Sequence, residues 1–152
     1  MKIKKDLKIC LKMKENKKNL SSSISLTFRD QFDVSDLFIN SYGIDKIEIN
    51  NKTYNFPLCI FGQKVFELNL NKISNLSTNH MKNLITVFYK NNNVYPELIL
   101  IGLKDYDWKK LAKIKKICDQ NKIGFDVMKI GQASGTFNFL TLEKREFITI
   151  FI

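Results

Sequence analysis

The sequence is poor in the residues from which most catalytic and metal sites are made. It holds one histidine, His80, one tryptophan, Trp108, and two arginines, Arg29 and Arg145. The three cysteines, Cys10, Cys59 and Cys118, are odd in number, far apart and form no C-x-x-C pair, which excludes a disulfide framework and favours a reducing compartment. One histidine and three scattered thiols do not make a Cys/His zinc site of the usual spacing, and no bound metal or cofactor is expected. Lysine, asparagine or aspartate breaks every apolar run well before the roughly 18 residues of a membrane-spanning helix. Nor does an apolar stretch of about 7 to 15 residues follow the basic start, so no secretory signal is expected.

What remains is the composition of a folding domain. The 152 residues are 44% hydrophobic and 26% charged, enough to bury one core and close to the averages of globular proteins. The net charge of +10 is concentrated at one end: residues 1–20 hold eight lysines against Asp6 and Glu15, whereas the other 132 residues hold 17 basic and 13 acidic groups. A solvated surface explains the latter, and no nucleic-acid partner is expected from this balance. Lysine, asparagine and isoleucine make up 58 residues, the bias that an AT-rich genome imposes, so much of the lysine is attributable to drift.

Residues 1–33 read as a basic leader or disordered tail: a lysine run, then Ser21, Ser22 and Ser23, with no sustained periodicity. From Asp36 onward the pattern is that of a domain, assigned to residues 38–152. Ile47, Ile49, Tyr54 and Phe56 alternate around an Asn50-Asn51-Lys52 turn, which predicts an N-terminal β hairpin over 44–56. A second β run covers Leu58–Phe61 and Val65–Leu68, broken by Gly62. Ser77 or Thr78 can cap a helix with Met81, Leu84, Ile85 and Phe88 on one stripe, ended by Asn91-Asn92-Asn93.

Leu98-Ile99-Leu100-Ile101, closed by Gly102, predicts a strand at the centre of a sheet. Asp107 can cap a helix to about Asn121, with Leu111, Ile114, Ile117 and Cys118 inward and most of its lysines outward. Phe125–Ile130 gives a strand parallel to the first, Gly131–Leu142 a turn and short helix, and Phe147–Ile152 a final strand. The whole predicts an α/β fold: a single compact layered domain with a mixed, partly parallel sheet and an N-terminal hairpin.

No constellation of these residues makes a catalytic set, and the chain is expected not to be an enzyme. His80 has no nucleophile or acid at motif spacing and reads as a solvated or packing residue. Asp105 and Asp107 beside Trp108 read more simply as a helix cap and dipole complement than as a ligand site. Gly131-Gln132-Ala133-Ser134-Gly135-Thr136 follows a strand, as phosphate loops do, yet lacks both known glycine spacings and the phosphate-binding lysine. Within a helix Thr136, Leu140 and Glu143 would share a face. Arg145 reads either as an ion pair or carbonyl clamp, or as an interface anchor.

One part of the chain carries a family signature. Val127-Met128, Ala133, Thr136-Phe137-Asn138-Phe139-Leu140, Glu143 and Arg145 resemble the closing signature of the complex I assembly factor 3 family. Ile39-Asn40-Ser41-Tyr42, Ile49-Asn50-Asn51-Lys52 and Pro96-Glu97-Leu98-Ile99-Leu100-Ile101-Gly102 extend the likeness over residues 38–152. The chain departs from it at Gly102-Leu103-Lys104, where the family usually has Gly-Thr-Gly, and at Ile130 or Gly131, where it usually has threonine.

The resemblance implies a non-catalytic small α/β domain, shared with bacterial and archaeal relatives. In mitochondria it implies a protein on the matrix side of the inner membrane that helps a second assembly factor build early complex I subunits into respiratory complex I. The basic leader is compatible with import; the alternative is a bacterial cytoplasmic domain binding a small ligand near the Thr136–Arg145 segment. The residues expected to bind a ligand or partner are Tyr42, Gly102, Trp108, Thr136, Asn138, Glu143 and Arg145.

Overall fold

The computed structural model describes residues 24–25, 36–70 and 73–152. Ile24–Ser25 (β1), Ile39–Tyr42 (β2), Lys46–Ile49 (β3) and Lys52–Asn55 (β4) pair antiparallel, in that order, into a small sheet. β3 and β4 are the expected hairpin. Asn50 and Asn51 take φ of 47° and 63°, the left-handed pair that a two-residue type I′ turn requires, so Lys52 belongs to the strand. The sequence pattern does not predict β2, because four residues with two polar members leave too short an alternation to register. Apart from β1, the predicted leader lies outside the described residues.

The main sheet contains Leu58–Phe61 (β5), Lys64–Glu67 (β6), Leu98–Leu103 (β7), Gly124–Lys129 (β8) and Phe147–Phe151 (β9), in the order β6-β5-β9-β7-β8. β7 runs parallel to β8 and to β9, while β5 is antiparallel to β6 and β9, so the sheet is mixed as predicted. The middle position belongs to β9 and not to β7. Both strands have a neighbour on each side and helices or strands over both faces, so both read as continuous apolar runs and the sequence cannot rank them. Gly102 does not close β7; the strand continues through Leu103, and the missing side chain serves packing against Phe151 and Ala133.

Three α-helices complete the fold among the described residues: α1 (Thr78–Asn92), α2 (Trp108–Gln120) and α3 (Ile130–Leu142). At the start of α1 the Ser77 hydroxyl accepts the His80 N–H at 3.1 Å and His80 Nδ1 accepts the Ser77 N–H at 3.1 Å. The lone histidine thus takes the place that glutamate usually holds in a capping box. Asn93, at φ 57°, ends the helix. The Asp107 carboxylate accepts the Lys110 N–H and caps α2, as its position predicted.

α3 departs from the sequence reading. Ile130 opens the helix directly after β8, and the segment from Gly131 to Gly135 is helical throughout, so there is neither a turn nor a phosphate loop. Two glycines in six residues suggest a turn by local propensity, and burial overrides that preference here.

α1 and α2 cover one face of the main sheet. Met81, Leu84, Phe88, Leu111 and Ile114 meet Ile99, Ile101, Ile148 and Ile150 in one core cluster. α3 covers the other face and also packs on the small sheet, joining Ile39, Ile47 and Ile49 to Leu58, Leu100 and Phe151 through Ile130, Ala133, Phe137 and Leu140. The result is one α/β domain in which α3 fills the angle between two sheets.

Candidate functional site

The family-like segment is α3 and the turn after it. Asn138 is buried and makes two backbone bonds: its Oδ1 accepts the Ile39 N–H at 2.9 Å and its Nδ2 donates to the Ile39 carbonyl at 3.0 Å. A side-chain amide therefore satisfies both backbone groups of Ile39, as a neighbouring strand would. Ser134 is turned back onto its own helix, donating to the Ile130 carbonyl at 2.8 Å.

Two glycines allow α3 to sit this close. A Cβ on Gly131 would lie 2.5 Å from the Tyr42 hydroxyl, so the tyrosine occupies the space beside the first turn of the helix. A Cβ on Gly102 would lie 2.6 Å from Phe151 and 2.9 Å from Ala133, which makes Gly102 the contact point between β7, β9 and α3. Thr136 is half-buried, with its hydroxyl 3.4 Å from the Met128 sulfur.

The seven expected site residues thus do not converge. Gly102 and Asn138 are packing and stapling groups with no surface to offer. Tyr42, beside Gly131, and Trp108 lie toward the carboxyl ends of β8 and β7, Thr136 sits midway along α3, and Glu143 and Arg145 follow the other end of that helix. Along the helix Glu143 is about 18 Å from Gly131, where Tyr42 packs, and about 10 Å from Thr136. Glu143 is an exposed C-cap.

Arg145 lines a pocket. This cavity of about 210 Å³ opens beside the C-terminal end of α3 and the amino end of β9, against the β5–β6 turn. Ile60, Phe137 and Phe147 provide apolar lining; Thr141, Lys144, Arg145, Glu146 and Asp36 bring polar groups to the same space. The end of α3 fixes them. The Arg145 N–H donates to the Leu140 carbonyl at 3.0 Å and Lys144 takes φ 56°, a left-handed helix ending that glycine usually provides. That turn carries the Lys144 ammonium to Asp36, whose carboxylate it meets at 2.6 Å across 108 residues of sequence. Asn50 holds the same segment from behind, donating to the Asp36 carbonyl and accepting the Phe38 N–H. Arg145 pairs with Glu97 at 2.7 Å, the ion-pair reading of that residue; the Glu97 N–H donates to the Glu146 carbonyl at 2.6 Å, and the Glu97 carboxylate accepts the Glu146 N–H at 3.3 Å.

The Thr136–Arg145 segment named in the alternative reading supplies Phe137, Thr141, Lys144 and Arg145 to this pocket, whereas Asp36 and Ile60 were not expected, because they come from the lead-in to β2 and from a distant hairpin. Adjacent Lys144 and Arg145 after an apolar helix were the only available signal. Among the described residues, no three His, Cys, Asp or Glu side chains are grouped to hold a metal ion. Cys59 and Cys118 are buried, and desolvation raises both thiols: Cys118 to about 11, Cys59 further. No helix among the described residues is long and apolar enough to cross a membrane.

A family model described as protein of unknown function (DUF498/DUF598) matches residues 39–152, which include every element from β2 to β9. The chain belongs to that family. Solved structures share the fold. A Mth938-like domain protein from Bordetella pertussis is 13% identical, covers 85% of this chain and 92% of its own, and superposes with a TM-score of 0.60. Xanthomonas campestris XCC1710 is 18% identical with 80% and 89% covered and a TM-score of 0.59. An outer membrane protein from Bartonella henselae is 16% identical with 78% and 95% covered and a TM-score of 0.57. No curated protein matches the chain. The small α/β domain implied by the α3 signature is therefore established for residues 39–152, and at these identities the structural likeness speaks for the fold alone.

Proposed function

We propose that this member of the DUF498/DUF598 family is a non-catalytic binding domain that takes a small ligand in the pocket beside the α3 C-terminus. One observation carries the reading: the pocket places Thr141, Lys144 and Arg145 over the apolar side chains of Ile60, Phe137 and Phe147. A few convergent polar groups over an apolar floor are what a small-molecule site needs. At about 210 Å³ the space lies below the usual range for drug-sized ligands and selects a compact polar molecule. Titration of the full chain with a panel of small polar metabolites, followed by thermal shift and by amide chemical shifts of Thr141–Phe147, tests it. A ligand that raises Tm in the native chain and not in Arg145→Ala supports the site; a panel with no response at those amides removes it.

A second reading is favoured by a different observation. Trp108 is exposed and stacks on Tyr106 with ring centroids 5.0 Å apart, an aromatic pair of the kind that anchors protein contacts. With the resemblance stated above, this supports a protein-contact role in assembling respiratory complex I, in mitochondria, with a second assembly factor and early subunits as partners. Co-purification from the native cell, with N-terminal sequencing of the recovered chain, tests both parts. A shortened chain bound to complex I subunits supports import and assembly, and a full-length chain without respiratory partners leaves the pocket as the functional site.

A further inference from the structure

Composition alone gives the lysines of α2 no weight, but the fold gives them an arrangement that composition cannot show. Leu111, Ile114, Ile117 and Cys118 turn into the core, which leaves Lys109, Lys113 and Lys116 exposed along the solvent side at i, i+4 and i+7. They span about 10 Å of helix. None of the three makes an ion pair among the described residues; the pair nearby is Lys115 with Asp119. Trp108, 71% exposed, opens the helix about a quarter-turn round from this stripe, on the side of Ala112 and Lys115. One face of its ring lies on Tyr106 at 5.0 Å and 18°. Tyr106 is itself packed against the main core, so the indole is held in place with its outer face open to solvent. Of the acids beside it, Asp107 is engaged in capping the Lys110 N–H, and Asp105 is exposed.

We propose that the solvent side of α2 binds single-stranded nucleic acid that wraps a quarter-turn round the helix, with one base stacked on the Trp108 indole and backbone phosphates on Lys109, Lys113 and Lys116. An open, rigid aromatic ring followed by a row of cations is the combination that single strands require: stacking for any base, point charges for the phosphates. The alternative occupant of a basic face, an acidic protein, fits less well, because lysine is depleted from protein–protein interfaces while it is a normal phosphate ligand. This surface is distinct from the pocket by the α3 C-terminus.

Trp108 is the sole tryptophan of the chain, so its fluorescence reports this face and not the basic residues 1–20. The full chain is titrated with a twelve-residue oligothymidylate, reading tryptophan emission and, in parallel, anisotropy of the labelled oligonucleotide. Expected is saturable quenching whose affinity falls with salt with a log–log slope of about 2, as for three phosphates on a single strand. The triple variant K109Q/K113Q/K116Q, altered only at exposed positions and checked by circular dichroism, should bind at least about tenfold more weakly by tryptophan quenching. Trp108→Ala should weaken anisotropy-detected binding by about tenfold. Anisotropy that rises without any quenching would place binding in the N-terminal segment and overturn the proposal. So would quenching that survives in the triple variant, or equal quenching by poly-L-glutamate at the same charge concentration.

Discussion

Asn138 on α3 binds both the N–H and the carbonyl of Ile39 on β2, at 2.9 and 3.0 Å, from 99 residues further along the chain. The bond pair joins the small sheet to the helix that also supports the main sheet, so it fixes how the two sheets meet. Asn138→Ala leaves two buried backbone groups without a partner, each costing about 1 to 3 kcal/mol. The variant is expected to lose about 3 kcal/mol in urea unfolding monitored by circular dichroism, whereas Ser134→Ala, whose hydroxyl only bonds its own helix, should lose less than about 1 kcal/mol, as expected for a bond back to the preceding turn.

Gly102 is a packing position. Adding a methyl group there brings it within 3 Å of Phe151 and Ala133, so Gly102→Ala should destabilise by about 1 to 3 kcal/mol through overpacking. Phe151→Leu makes room on one side. If the contact is as described, the double variant G102A/F151L will be more stable than the sum of the two single losses implies, a coupling that thermal unfolding can resolve.

Thr149, in the middle of β9, is fully buried, and its hydroxyl has no hydrogen-bond partner among the described residues. Valine has nearly the same shape without the polar atom. Thr149→Val is expected to raise stability by about 1 kcal/mol, visible as a rise of about 2 to 4 °C in Tm for a domain of this size. A fall in Tm would reveal a polar neighbour or a water that satisfies the hydroxyl.

Cys59 and Cys118 should be silent to thiol reagents in the folded chain. Burial holds Cys118 up at about 11 and Cys59 higher still, whereas unfolded thiols ionise near about 8.5. Above that value the unfolded chain loses protons that the folded chain retains, so stability falls as pH rises through about 8.5 and upward. In a Cys10→Ser background, Ellman's reagent at pH 8 should titrate no thiol until denaturant is added, and then two. Reaction of either cysteine without unfolding would contradict the burial described.

Wherever a residue's role depends on neighbours within about four positions, the sequence carries it. Ser77 and Asp107 as helix caps, the Asn50-Asn51 turn and the inward stripes of α1 and α2 are all local, and the βαβ unit follows from their order. The apolar runs of β7 and β9 show that both lie inside a sheet and cannot show which lies at its centre.

Tertiary structure alone decided the rest. Two glycines that read as a turn by propensity became part of a helix because Tyr42 needed the space at Gly131 and burial between two sheets favoured helical backbone. Asn138 looked like a ligand group because a buried amide and a binding amide share the same chemistry, and only the placement of Ile39 assigns its bonds. Arg145 reached the pocket while its companions did not, since the pocket joins the α3 turn to Asp36 and to the β5–β6 hairpin, segments brought together by sheet order and by no pattern along the chain.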